Sequence, residues 1–351
     1  MIPTFPQELI DAIIKELTSD TETLSACNLS SKSFRRSARP QLFRKVSISV
    51  RNCQALTVFR RWTVDAREWD FDSIVPFIRE FTLDFQELHD DEHQRGIFNE
   101  TARIDNRTLI EILFQMANPK VSRMTSLCVA NLHVSSRQWS SFDRAFIYAW
   151  QQLLCHPLLR SLCLVRVAWL PLHFDLDLGI SIQHLVVQED PILDLSRPPL
   201  QRVDDRRKPS TVAGRQRGYN LESLSIDSLS QLLGLQKLES AESRQAWRYK
   251  ELRVRVKFLE LFSLFDENTW NSSPNALADI ISLRLDMWDF SKAARVDVDI
   301  DTLVGFHNLQ ALEIVTSNKA DRNLDILKPF CTYILGRTVQ FGCLREFKTR
   351  V

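Results

Sequence analysis

Apolar residues near the start of the chain recur every three or four positions, which is the spacing of one face of an α-helix. In the stretch "QELIDAIIKEL" these positions form a broad stripe of Leu9, Ile10, Ile13, Ile14 and Leu17. Pro6 suits the first turn of such a helix, where a missing backbone N–H costs nothing. The pattern therefore predicts an amphipathic helix that begins near Pro6.

Two further short helices and a strand are predicted before residue 50. Ser19 and Glu22 have the spacing of a capping box, which predicts a second helix beginning near Ser19. The segment "KSFRRSA" predicts a third helix that ends before Pro40. The segment "FRKVSISV" alternates apolar and polar residues, as a strand does. Three such helices make a poor independent core, so we expect another domain or another protein to cover their apolar surface.

From about residue 76 a triplet of large apolar residues recurs, with the spacing apolar-x-x-apolar-x-apolar. A short strand preceded by an apolar anchor has this pattern, as in the core of a leucine-rich repeat. The triplets are Ile78/Phe81/Leu83, Met124/Leu127/Val129, Leu159/Leu162/Leu164, Ile182/Leu185/Val187, Leu221/Leu224/Ile226, Val256/Leu259/Leu261, Ile280/Leu283/Leu285 and Leu309/Leu312/Ile314, with a partial copy at Leu344/Phe347.

Helical patterns lie between the triplets. The segment "DNRTLIEILFQMANP" predicts a helix capped by Asp105 and stopped before Pro119, with one apolar face formed by Leu109, Ile112, Leu113 and Met116. The segments "SRQWSSFDRAFIYAWQQLL" and "DRNLDILKPFCTYILG" predict two more helices. Strands that alternate with helices at uneven intervals, without an Asn ladder, predict an irregular, leucine-rich-repeat-like α/β solenoid. A segment rich in Pro, Arg and Asp, at about 188–220, predicts an exposed insertion.

Composition excludes some classes of function. The chain has 351 residues, 44% of them hydrophobic and 25% charged, and a formal net charge of +1, so no overall field favours nucleic acid or an acidic membrane. The first residues do not fit a secretory signal, and the seven cysteines never form C-x-x-C. We therefore expect a reducing compartment, the cytoplasm or the nucleus. Glycine occurs only eight times, and no phosphate-binding loop or G-x-S-x-G motif is present.

Two candidate metal motifs fail on their spacing. "HDDEH" sets His89 and His93 four residues apart, but Asp90 stands where a zinc protease needs Glu. "DVDIDT" opens like a calcium loop at Asp297, but Gly and Glu are missing from the required later positions. We expect no metal, no cofactor and no catalytic residue, although an enzyme with a site built from distant residues stays an alternative.

The stretch "IPTFPQELIDAIIKELTSDTETLSACNLSSKSFRRSARPQLFRKVSI" resembles an F-box of the fungal type. Phe5-Pro6, the Glu8-Leu9 pair, the apolar helix positions and the basic Arg35-Arg36 pair follow that family's order. Phe5 stands where Leu is usual, and Phe34 where Trp is usual. The resemblance implies an F-box at 1–48, a linker or helical connection at 49–75, and a leucine-rich-repeat-like substrate-binding domain at 76–351.

The resemblance also implies a function. F-box proteins are the non-catalytic substrate receptors of Skp–cullin–F-box (SCF) ubiquitin ligases, and the box docks on a Skp-type adaptor. By resemblance, the adaptor-binding residues are Phe5, Pro6, Leu9, Ile13 and Leu17, with Leu29 and Phe34 packing the helices behind. The alternative is a repeat scaffold whose first helices only cap the array. If the triplets are strands, the residue between their last two apolar positions points away from the core. The candidate substrate-facing residues are Thr82, Ser225, Glu260, Arg284 and Glu313.

Overall fold

A computed structural model of the chain describes residues 5–50, 52–65, 73–85, 101–132, 144–167, 182–188, 219–227, 247–257, 280–288, 308–316 and 344–350. The chain divides into two compact units. Unit 1 comprises Met1–Val167 with Pro171–Ile182, and unit 2 comprises Ala168–Leu170 with Gln183–Val351. Both units contain parallel strands, and the protein belongs to the α/β class.

Unit 1 begins with three helices, which we call the helical bundle: α1 Gln7–Glu16, α2 Thr21–Ser30 and α3 Lys32–Leu42. Ile10, Ile14, Leu24 and Ala38 form its buried centre. The side chain of Asp20 accepts a hydrogen bond from the Thr23 backbone N–H, and therefore caps α2. The predicted cap, Ser19, is wrong by one residue because the Asp20 carboxylate makes the capping bond in its place.

The prediction that α3 ends before Pro40 is also wrong. Pro40 lies inside the last turn of α3, which continues to Leu42. A proline there removes only one backbone donor, and the Phe43 N–H still bonds the Arg39 carbonyl one turn back. The Ser31 side chain accepts from the Phe34 N–H and fixes the start of this helix.

Four strands of unit 1 pair in parallel and in chain order. They are β1 Lys45–Ser49, β2 Glu80–Asp84, β3 Ser126–Ala130 and β4 Ser161–Val165. The connections contain α4 Cys53–Thr63, a 3₁₀ turn at Val75–Phe77, α5 Thr101–Ala117 and α6 Arg144–Leu154. Residues 49–75, predicted as a linker or helical connection, thus include α4. Parallel neighbours require such crossover connections.

The core of unit 1 lies between one face of its strands and the apolar faces of its helices. The predicted triplets beginning at Ile78, Met124 and Leu159 are buried in all three positions. On α5 the predicted face of Leu109, Ile112, Leu113 and Met116 is buried as well. Asp105 does not cap α5, because the helix already begins at Thr101.

Unit 2, taken by itself, contains six parallel strands in chain order among its described residues. They are β5 His184–Gln188, β6 Tyr219–Ile226, β7 Trp247–Lys257, β8 Ser282–Trp288, β9 Ala311–Thr316 and β10 Glu346–Arg350. In β5, β6, β8 and β9 the two inward residues of each predicted triplet are buried: Leu185/Val187, Leu224/Ile226, Leu283/Leu285 and Leu312/Ile314. Residues 189–218, most of the predicted insertion, lie outside the described residues, as does the predicted helix that closes at Gly336.

One buried triplet of unit 2 is not among the predicted ones. The register of β7 places Leu252 and Val254 against Leu283 and Leu285 of β8, and these two residues and Tyr249 are buried. The predicted triplet Val256/Leu259/Leu261 begins inside β7, but Leu259 and Leu261 lie outside the described residues, so it stays a prediction. Both triplets satisfy the same spacing, and Tyr249 is as apolar over its ring as an aliphatic anchor. Hydrophobic spacing alone could not separate them.

Candidate partner-binding surfaces

The apolar stripe of α1 divides into a buried half and an exposed half. Ile10 and Ile14 face the centre of the helical bundle. Phe5, Leu9 and Ile13 follow one another at intervals of four and remain 65%, 50% and 45% exposed. We call these three residues the α1 apolar row. Leu17 extends the row by another four residues but is half-buried against the bundle centre.

A polar network holds α1 on α3. The Gln7 Nε2 donates to Ser37 Oγ at 2.7 Å and to Asp11 Oδ1 at 2.9 Å, and the Ser37 hydroxyl also donates to Asp11. The hydrogen bond from Ser37, followed by that from Gln7, lowers the pKa of the Asp11 carboxyl below its usual value. These bonds fix the rotation of α1 about its own axis, so they also fix which apolar residues stay exposed.

Leu29, by contrast, does not pack the helices together. Its side chain is 76% exposed, so the predicted packing role is wrong. The inward residues of α2 are Leu24 and Cys27. Leu29 follows Leu24 by five residues, which places it about 140° away around the helix. Phe34 does pack against the bundle centre, as predicted, and Pro6 is exposed immediately before α1.

The bundle therefore exposes more apolar surface than its size would suggest. Among the residues that the structure describes, nine large apolar side chains are exposed, and four of them, those of Phe5, Leu9, Ile13 and Leu29, belong to the bundle. Three of the four form the α1 apolar row, and exposed apolar residues that share one face mark an interaction surface more often than scattered single residues do.

The second surface is the polar face of the strands in unit 2. Side chains alternate between the two faces of a strand, so the residues between the buried positions share the opposite face. The strand register brings three predicted substrate-facing residues, Ser225, Arg284 and Glu313, into one line across neighbouring strands. We call this line the central row, and its members are Val186, Ser225, Arg253, Arg284, Glu313 and Lys348.

Ion pairs connect the middle of the central row. Asp286 lies two residues beyond Arg284 in β8, on the same face of the strand. Its carboxylate accepts from Arg253 Nε at 2.6 Å and from Arg284 Nε at 3.0 Å. Arg284 Nη1 also donates to Glu313 Oε2 at 3.2 Å. The hydrogen bond to Asp286 is the main reason that the pKa of Arg284 is raised above its usual value. Two guanidinium groups and two carboxylates balance, so this network offers directional hydrogen bonding without net charge.

Sequence reasoning missed two members of this network, Arg253 and Asp286. Arg253 lies between Leu252 and Val254 of β7, the same type of position as was predicted for Glu260, and Glu260 itself lies outside the described residues. The triplet Tyr249/Leu252/Val254 would have identified Arg253, had an aromatic anchor been allowed. Asp286 needed the strand register, because it lies outside the position between the last two apolar residues.

Thr82, the remaining predicted substrate-facing residue, belongs to unit 1. It lies on the polar face of β2, half-buried, beside Ser47 of β1 and Cys128 of β3. Thr82 therefore lies on the polar face of its strand, as predicted, but it belongs to unit 1 and the central row belongs to unit 2.

The remaining candidate motifs are not described. His89, His93 and the Asp297 segment all lie outside the described residues. Within the described ranges, no group of three or more His, Cys, Asp or Glu side chains is placed to hold a metal ion. Among those same residues, no helix has the length and apolar character needed to span a membrane.

The comparisons with known proteins leave the family of this chain open. No protein-family model, no curated protein and no solved structure matches it.

Proposed function

We propose that this chain is the substrate-recognition subunit of an SCF-type ubiquitin ligase. In this role the helical bundle is the F-box and docks on a Skp-type adaptor, and the strands with their connecting helices form an irregular leucine-rich-repeat-like domain that holds a protein substrate. The observation that carries the proposal is the α1 apolar row, which stays exposed although the bundle has a filled centre of its own.

The energy available from covering the row is substantial. Burying a large apolar side chain completely is worth about 1.5–3 kcal/mol. Scaled by the exposed fractions of Phe5, Leu9 and Ile13, full coverage of the row is worth about 2–5 kcal/mol. This is the size of a binding hot spot.

The central row supplies the substrate side of the proposal. Its two arginines are held by the carboxylates of Asp286 and Glu313, so little side-chain entropy is lost when a substrate contacts them. The network is neutral overall, which favours a partner that offers both donors and acceptors over a highly charged one. Ubiquitin transfer itself would occur on other subunits, and this chain contributes by raising the local concentration of the substrate near them.

Binding of the full chain to a purified Skp-type adaptor tests the proposal. Leu9→Asp and Ile13→Asp each place a carboxylate in the contact, and we expect each to weaken binding by about 30-fold or more, since an unpaired buried charge costs about 2 kcal/mol or more. Val58→Asp is the matched control, because Val58 is 43% exposed on α4 and lies outside the bundle. Arg284→Glu should also leave adaptor affinity unchanged.

The outcomes separate the hypotheses. If the wild-type chain fails to bind the adaptor, the receptor proposal is refuted and the scaffold hypothesis gains support. If Val58→Asp weakens binding as much as Leu9→Asp does, the effect is not specific to the α1 apolar row, and the row is not the docking surface.

A further inference from the structure

Two cysteines that are 35 residues apart in the sequence lie side by side in unit 1. Cys128 of β3 and Cys163 of β4 are register partners, and both are half-buried on the polar face of their strands. Ser47 and Thr82 complete the same line across β1 and β2. A search of the sequence for closely spaced cysteines cannot find this pair, because only the parallel register brings the two thiols together.

The surroundings of Cys128 favour its thiolate form. The Cys163 thiol and the Thr82 hydroxyl donate hydrogen bonds to the Cys128 sulfur, and these bonds lower the pKa of Cys128 to about 7. Partial burial and the carboxylate of Asp84 oppose the shift without cancelling it. The lowered pKa raises the share of thiolate at neutral pH above that of an ordinary cysteine, and the thiolate is the form that attacks electrophiles and binds soft ions.

The strand geometry favours a bridged pair over a disulfide. Neighbouring strands are about 4.8 Å apart, which is also the approximate separation of Cβ atoms in a parallel register pair. A relaxed disulfide needs Cβ atoms about 3.8 Å apart, so β3 and β4 would have to approach by about 1 Å. One atom bonded to both sulfurs spans the longer distance without such a movement.

The number of available ligands limits which atom can bridge the sulfurs of Cys128 and Cys163. Structural zinc needs four protein ligands, and the described residues contain no cluster of three or more His, Cys, Asp or Glu side chains. Among the described residues the site thus offers two thiols, which suit a soft centre that is satisfied by two sulfurs. We propose that Cys128 and Cys163 form a two-thiol site that binds trivalent, thiophilic metalloids of the arsenical class through both sulfurs.

The binding reaction balances without any oxidant. With phenylarsine oxide as the probe, both S–H bonds are lost and two As–S bonds form, and the arsenic-bound oxygen leaves with the two protons as water. Arsenic stays trivalent and neither sulfur is oxidised. The bridge would also withdraw the Cys128 sulfur from Thr82, so occupancy of the site would change the polar face of β2.

Intact-mass measurement of the full chain tests the site. The wild type is treated with phenylarsine oxide and then washed with an excess of a monothiol, which removes arsenic held by single cysteines. We expect the wild type to retain one adduct per chain that Cys128→Ser and Cys163→Ser each lose. Cys155→Ser and Cys53→Ser are controls, because they remove a half-buried and an exposed cysteine outside this line and should keep the adduct.

A second measurement needs no variant. In the wild-type chain the arsenical should protect Cys128 and Cys163 together from alkylation by iodoacetamide, as read by peptide mass. The proposal is overturned if the wild type retains no adduct, if Cys128→Ser or Cys163→Ser retains as many adducts as the wild type, or if the protected peptides do not include both residues.

Discussion

Leu9 and Ile14 belong to the same helix and the same apolar stripe, yet their truncation should have different consequences. Ile14 is 1% exposed in the centre of the helical bundle, whereas Leu9 is 50% exposed. Ile14→Ala removes buried methylenes and leaves a cavity, which costs about 2–5 kcal/mol. Leu9→Ala removes a side chain that is only half covered, so it should cost about 1 kcal/mol or less.

Hydrogen exchange of α1–α3 in the full chain, followed by peptide mass, measures the difference. When exchange reports the opening equilibrium, every 1.4 kcal/mol of lost stability speeds exchange about tenfold. We expect Ile14→Ala to accelerate exchange in the bundle by about 30-fold or more, and Leu9→Ala by about 5-fold or less. Because Ala is the best helix former, neither change should weaken α1 through its intrinsic propensity.

A result in which both variants accelerate exchange equally would refute this reasoning. It would mean that another part of the chain covers Leu9 as completely as the bundle centre covers Ile14. The α1 apolar row would then be core rather than a docking surface, and the basis for the proposed function would be lost.

Two further predictions concern unit 1. Burial lowers the pKa of His156 below its usual value. A histidine with a lower pKa in the folded chain binds protons preferentially when unfolded, so stability should fall as the pH drops below about 6.5, by at most about 1.4 kcal/mol per pH unit. Urea unfolding of the wild type and of His156→Gln between pH 7 and 5 checks this, and an equal slope in both would contradict it. Asn131 and Arg166 follow β3 and β4 with positive φ values of 56° and 51°. Arg166→Gly should therefore raise the free energy of unfolding by up to about 1 kcal/mol, because glycine adopts a positive φ without strain. Asn131→Val should lower the free energy of unfolding by about 1–2 kcal/mol. If Arg166→Gly instead destabilised the chain, that would count against backbone strain at Arg166.

Most of the described strands could be predicted from the sequence, because their inward residues are apolar and recur with the spacing apolar-x-x-apolar-x-apolar. The triplet beginning at Ile78 predicted β2, and the one beginning at Leu309 predicted β9. The same rule missed the buried triplet of β7, because its anchor Tyr249 is aromatic rather than aliphatic, and the strand register revealed it. Helix ends were harder to place, since Ser19 and Asp20 are adjacent residues that can both cap.

The candidate surfaces were predictable in part, for related reasons. The apolar stripe identified which residues of α1 are apolar, but not which of them the bundle buries. That division depends on the bonds of Gln7 and Asp11 to α3, which involve residues about 30 positions apart. Ser225, Arg284 and Glu313 followed from the triplet spacing and alternation, whereas Asp286 joins them through side-chain hydrogen bonds to Arg253 of β7 and to Arg284 of its own strand.

Within each unit the strands follow one another in chain order, and each pairs with its neighbours in sequence. The membership of every row is thus set by the few residues of each strand, independently of how many residues connect one strand to the next. Connections can lengthen or shorten over evolution while the amino acids displayed side by side stay the same. Conversely, a single-residue deletion inside one strand would exchange its inward and outward side chains, so the strands should tolerate insertions and deletions far less than the segments between them.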